Sequence, residues 1–289
     1  MNKLEQILRN KKEAIRLKKA QFKKADIVSS LSAVKTGVIK SDTLKQDTEN
    51  EIYRTIVGNT YGFMDSHDDV HIPGIFTKSI KENGGNVLHL HDHVHQLSAK
   101  VGTPQRVYEK ELDWGALGYE AKGITTALLM DSRIEKARNS NIFNDYLNGE
   151  INQHSVGMQY VKIELCVNDR EEKEEFANWE KYKDQVINLD KAEEQGYFWA
   201  VTEAKLIEIS CVIRGSNELT PTLEPQEKGL DELTELYNQV SENPTKENLA
   251  YFCSQFKALQ EGEAVSTTLP KVEKPQSNNS LFKHLIQKK

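Results

Sequence analysis

The chain has 289 residues, a mass of 33.0 kDa and a formal net charge of −6. That length supports one sizeable domain with extensions or two small domains, and the acidic balance excludes a strongly basic nucleic-acid binder. Three widely spaced cysteines, Cys166, Cys211 and Cys253, with no CxxC pair, argue against a disulfide framework and a cysteine zinc site, and no run of about 18 apolar residues is present to span a membrane.

Residues 1–25 read as a helix with a thin apolar stripe of Leu4, Ile7, Leu8, Ile15 and Leu17, and with nine Lys/Arg against two Glu. Such a segment is either a solvated arm or a docking helix for an acidic partner. It lacks the apolar core of a secretory signal. Residues 26–50 are polar and weakly patterned, as in a linker. The compact part begins at "EIYRTIVGNTYGF", whose β-branched and aromatic residues predict a strand. Pro73-Gly74 marks a turn, followed by a short helix ending at Gly84-Gly85. Strands are expected over about 86–95, 99–109 and 116–129. "DSRIEKARNSNIFNDYLNGE" predicts a helix capped by Asp131 or Ser132 and closed by Gly149. "NQHSVGMQYVKIEL" returns to strand. Residues 164–194 form a charged insertion with eleven acids and five bases, in which "DREEKEEF" reads as a solvated helix or loop. "YFWAVTEAKLIEISCVIRGSN" is again a strand. From about 226 the chain changes character, with amphipathic helical runs on either side of Pro244, a disordered linker "AVSTTLPKVEKPQSNNS" and a last short apolar patch "LFKHLIQ". The expected fold class is α+β, a mixed and mostly antiparallel sheet or barrel with helices packed outside.

Alternation along a strand sorts side chains into faces. In "VLHLHDHVH", Leu88, Leu90 and Val94 share one face, and Val87 shares the other with His89, His91, His93 and His95. Ser155, Gly157 and Gln159 lie opposite Val156, Met158 and Tyr160. Leu206, Glu208, Ser210 and Val212 lie opposite Ile207, Ile209, Cys211 and Ile213. The non-core faces thus present His91 (or His89), Ser155 and Glu208, which are the residue types of a general base, a nucleophile and an orienting acid. Gly157 leaves room for a substrate backbone. The competing reading is metal, since H-x-H is a ligand spacing. However, His89-Leu90-His91-Asp92-His93 is one residue short of the H-x-H-x-D-H pattern of metallo-hydrolases, and only His154 and His284 follow as further histidines.

Four segments, "DSHDDVHIPGIFTKSI", "VLHLHDHVHQLSAKVG", "GEINQHSVGMQYV" and "LIEISCVIRGSNELT", occur in the order and style of the tailed-phage prohead proteases. The resemblance covers roughly residues 52–220 without the acidic insertion. It departs from the family pattern at Met158, where an aromatic is usual, and in the order of Ala99-Lys100-Val101-Gly102. The resemblance implies a β-barrel-like core wrapped by helices, as in the herpesvirus assemblins. It implies a serine endopeptidase with His91 as base, Ser155 as nucleophile and Glu208 as the third member, and with Arg214 near the oxyanion. His89 is the alternative to His91, Asp92 is the alternative to Glu208, and His93 and His95 are bystanders on this reading. It implies no cofactor and no metal. The partners implied are the major capsid protein with its scaffold or delta segment and the chain itself through autocleavage and oligomerisation, with no nucleic acid and no membrane, inside the immature capsid in the host bacterial cytoplasm. The domains on this reading are 1–50, a basic helical arm and linker; 51–225, the protease domain with its insertion at about 164–196; and 226–289, a helical and partly disordered tail. The alternative is a non-catalytic scaffolding or capsid-assembly protein that keeps a protease-like domain.

Overall fold

The computed structural model describes residues 3–20, 47–223, 230–260 and 269. The chain divides into two compact units, Met1–Gln226 and Glu227–Lys289. The linkers expected at 26–50 and in the tail lie largely outside the described residues.

The first unit is α+β. It is built on a mixed sheet of eight strands: β1 (Glu51–Thr60), β2 (Asp69–His71), β3 (Leu88–His91), β4 (Lys100–Asp113), β5 (Ile124–Glu135), β6 (His154–Val167), β7 (Tyr197–Cys211) and β8 (Thr222–Leu223). The strand order is β2-β7-β3-β4-β5-β1-β8, with β6 on the other edge of β7. Pairings are antiparallel except that β2 and β3 run parallel to β7. Among the described residues no pairing closes this sheet into a barrel. Every residue of β1 after Glu51 is buried, which matches a run rich in Ile, Val, Tyr and Thr rather than an alternating one.

The segment 131–135 is strand, not the start of a helix. Asp131 is buried and accepts hydrogen bonds from Thr55 Oγ1 (2.6 Å), Arg106 Nε (3.0 Å) and Tyr108 Oη (3.2 Å). Ser132 is committed to His89. Neither side chain is free to cap, so the strand continues to Glu135 and the helix α4 (Ser140–Leu147) starts later, with Asn139 Oδ1 accepting from Ile142 N at 3.2 Å. In the charged insertion, β6 extends to Val167 and two helices follow, α5 (Lys173–Tyr182) and α6 (Leu189–Gln195), after the short α3 (Thr77–Asn83) earlier in the chain. Trp179, Tyr182, Val186 and Ala192 from this insertion are buried against Phe198 and Ala200 of β7, so its acidic sequence conceals an apolar anchor.

The basic N-terminal segment forms α1 (Lys3–Arg9) and α2 (Lys11–Ala20), which lie on the first unit itself. Leu4, Ile7, Leu8, Ala14 and Ile15 pack on the main core cluster. Lys3 Nζ reaches Asp68 Oδ2 at 2.6 Å, Lys11 pairs with Glu174 and Glu175, and Lys18 pairs with the fully buried Asp69. The acidic partner that the basic stripe calls for is therefore within the same chain. The second unit is described as a helical pair, α7 (Leu230–Glu242) and α8 (Lys246–Gln260), with Leu233, Leu236 and Val240 buried. No helix among the described residues is long and apolar enough to cross a membrane.

Candidate active site

Strand β7 lies between β6 and β3, and its register decides which side chains meet. Ser155 stands opposite Ser210, and Gly157 opposite Glu208. On the other side Leu88 pairs with Glu208, Leu90 with Ser210, His89 with Ile209 and His91 with Cys211. Residues paired across adjacent strands share a face. One face therefore carries Ser155, Gly157, Glu208 and Ser210 with Leu88 and Leu90. The reverse face carries His89, His91, His154, Val156, Ile209 and Cys211. A register shift between Gly157 and Met158 marks a bulge beside Glu208, which explains how both Leu206 and Ile209 reach the core.

His91 is thus not brought to Ser155 and Glu208. It lies on the opposite face, about one-third exposed, with Nδ1 3.5 Å from Asp92 Oδ2. His89 is farther still from this role. It is fully buried, with Nδ1 2.8 Å from Ser132 Oγ and Nε2 3.1 Å from Tyr146 Oη. The histidine that meets Glu208 is His93, with Nδ1 2.5 Å from Glu208 Oε1. Both groups are buried, His93 at 3% and Glu208 at 0% exposure.

The reason is a turn. Strand β3 ends at His91, and Asp92 and His93 both adopt positive φ, 52° and 55°. Val94 N donates to His91 O at 3.1 Å. Two central residues with positive φ under an i to i+3 bond form a type I′-like turn, which swings His93 onto the Ser155 face. Alternation carried through 92–95 misses this, because period two holds only while the strand continues. The signal in the sequence was Asp92, a residue that tolerates left-handed backbone, placed inside an otherwise strand-like run.

Around this pair, Ser210 Oγ donates to Glu208 Oε2 at 2.6 Å and accepts from His93 N at 3.2 Å. His93 Nε2 is buried and has no hydrogen-bond partner among the described residues. Ser155 is 6% exposed, across the strand pair from Ser210. Directly opposed residues in an antiparallel pair have Cβ atoms about 4.5–5.5 Å apart. Ser155 thus stands opposite Ser210, whose hydroxyl touches both Glu208 and His93. Arg214 sits half-buried in the loop leaving β7, next to Gly215, where a Cβ would come within 2.6 Å of His154 O.

Behind the site runs a chain of buried polar groups. Ser132 Oγ, His89, Tyr146 Oη, His154 and Thr220 O follow one another at 2.8, 3.1, 3.0 and 2.9 Å. The carbonyl of Thr220 requires a proton on His154 Nδ1. His154 Nε2 then accepts from Tyr146, which in turn accepts from His89 Nε2 and leaves His89 Nδ1 to accept from Ser132. Every member is satisfied, so polar groups can occupy the core face. Burial lowers the pKa of His89 to about 3, with the neighbouring His154 adding to the effect, and burial lowers that of His154 to about 4. Both are neutral at physiological pH. Burial also pushes the Cys211 thiol up to about 12, so the cysteine beside His91 is no thiolate nucleophile.

No protein-family model, curated protein or solved structure matches this chain. The histidine run gathers no metal-ligand set among the described residues. The trio with ligand spacing there is Asp65, His67 and Asp69, far along β7 from Ser155, with the Lys18 ammonium already on Asp69.

Proposed function

We propose that this chain is a serine endopeptidase with Ser155 as nucleophile, His93 as general base and Glu208 as the orienting acid. The observation that carries this is the buried His93–Glu208 contact of 2.5 Å on the strand face that bears Ser155. A serine hydroxyl needs an imidazole to take its proton, and a carboxylate on Nδ1 fixes the tautomer that leaves Nε2 as acceptor. His93 Nε2 makes no hydrogen bond among the described residues, and catalytic contacts often tighten only when substrate binds. Ser155 Oγ attacks the peptide carbonyl, and its proton passes to His93 Nε2. Backbone N–H groups, with Arg214, stabilise the oxyanion. His93 then protonates the leaving amine, and water releases the acyl-enzyme by the same relay.

The substrate class follows from the resemblance of the four segments to prohead proteases. On that reading the chain processes the major capsid protein, its scaffold or delta segment and its own arms, within the immature capsid. The assemblin-like arrangement belongs to the same proposal and is supported by a helix-covered sheet carrying Ser155 and Glu208 on one face. The test is co-expression with a major capsid protein that carries a cleavable delta segment. The wild-type chain should yield defined truncation products of the capsid protein and of itself, read by intact mass spectrometry. Ser155→Ala should yield none while keeping its melting transition. Undiminished processing by Ser155→Ala would sink the proposal.

A further inference from the structure

The mechanism above leaves one buried hydroxyl of the site without a role. Ser210 is 0% exposed and lies on the same face as Ser155. A hydroxyl has one proton to give and lone pairs to receive. Ser210 gives its proton to Glu208 Oε2 and receives the backbone N–H of His93. It therefore touches both the acid and the base through groups that do no chemistry themselves.

The turn holding His93 makes this contact consequential. Asp92 and His93 are non-glycine residues with left-handed backbone, a conformation that must be held by its surroundings. Three successive amides secure it. Asp92 N donates to Cys211 O (3.0 Å), His93 N to Ser210 Oγ (3.2 Å) and Val94 N to His91 O (3.1 Å). Two of the acceptors are main-chain carbonyls, which any sequence would supply. The middle acceptor is a side chain, and it belongs to the hydroxyl that also orients Glu208. With Oε2 occupied by Ser210, Oε1 is the oxygen left for His93 Nδ1.

We infer that Ser210 is a positioning residue that locks His93 and Glu208 into one geometry. This rests on the serine-hydrolase reading, and the test separates the two. The full chain is treated with a fluorophosphonate, and the rate of covalent labelling is followed by intact mass spectrometry, with the site mapped by peptide analysis. In this reaction the Ser155 O–P bond forms, the P–F bond breaks, fluoride leaves and the serine proton passes to His93. Failure of the wild type to label at Ser155 overturns the function and this inference together.

With Ser155 labelled, Ser210→Ala should slow the rate by about a hundredfold, the scale expected when a catalytic group is misplaced. Ser210→Thr, which keeps the hydroxyl, should restore most of it. Ser210→Cys keeps the volume with a weaker donor, and should remain folded yet slow, should the alanine variant not fold. The deciding comparison is Glu208→Gln/Ser210→Ala against Glu208→Gln alone. Equal rates mean that Ser210 acts through Glu208. Multiplied losses mean that it acts through the His93 amide as well, whereas a wild-type rate in Ser210→Ala, or a full rate in Ser210→Cys, would leave Ser155 chemistry standing and overturn the positioning role alone.

Discussion

At the scale of single residues, the site turns on which histidine of four lies near Glu208. His89, His91 and His93 fall within five positions, yet they occupy three environments: a core hydrogen-bond chain, a strand end about one-third exposed, and the buried carboxylate. Their roles should separate sharply under substitution. His93→Gln should cut the rate of Ser155 labelling or capsid processing by about 10²–10⁴-fold, the usual contribution of a general base. His91→Gln should leave it within a few-fold of wild type, because His91 faces away. A large loss in His91→Gln with full activity in His93→Gln would reverse the assignment. The residue types of the site were legible in the sequence, since Ser155 and Glu208 do share a face. The choice of base was not, because two left-handed residues inside an alternating run change the face of everything after them.

At the scale of elements, β3 is held at its back by Gly102 of β4. A Cβ there would lie 2.5 Å from Ser132 Oγ, 2.8 Å from Arg133 O and 2.9 Å from His89 Nδ1. Gly102→Ala should therefore destabilise the protein by about 1–3 kcal/mol, the cost of overpacking a core, as measured by urea denaturation. The same polar chain gives a pH dependence. In the unfolded chain His89 and His154 titrate near the ordinary 6.5, while the folded protein refuses the proton until about 3 and about 4. Between those limits the unfolded state binds more protons, so stability falls as pH drops below about 6.5. Each histidine contributes up to about 1.4 kcal/mol per pH unit within that window. Urea midpoints at pH 7, 6 and 5 should decline, and His154→Gln, which cannot take up the proton, should show a shallower decline. A slope unchanged in that variant would contradict the assignment. Element types were mostly readable from pattern. The misplaced helix start at 131 shows the limit: Asp131 and Ser132 look like caps in isolation, but long-range partners on β1, β3 and β4 claim them.

At the scale of the whole first unit, the N-terminal helices behave as part of the fold. Asp69 is fully buried, with Lys18 on one oxygen and Tyr160 Oη on the other at 2.7 Å, and Lys18 also lies 5.1 Å from the Trp199 ring centroid. Removing one partner of a buried ion pair strands the other charge. Lys18→Met should cost about 3–5 kcal/mol of stability in denaturant titrations, and adding Asp69→Asn should recover part of it. No recovery would mean that Lys18 acts through packing alone. The sequence shows the basic stripe but not its target, because Asp68, Asp69 and Glu175 are separated from it by tens to more than a hundred residues. The parallel pairing of β3 with β7 has a related consequence for synthesis. Residues 88–91 find their partners only at 208–211, and His93 finds Glu208 across 115 positions of sequence. A chain emerging from the ribosome holds Ser155 and His93 long before it holds the carboxylate that orients them. The His93–Glu208 contact therefore stays unassembled until nearly the whole sheet has been made, and such distant strand pairing is slow to form. On the proposed function, a chain built this way passes through translation, leading helices included, before its Ser155 site is complete.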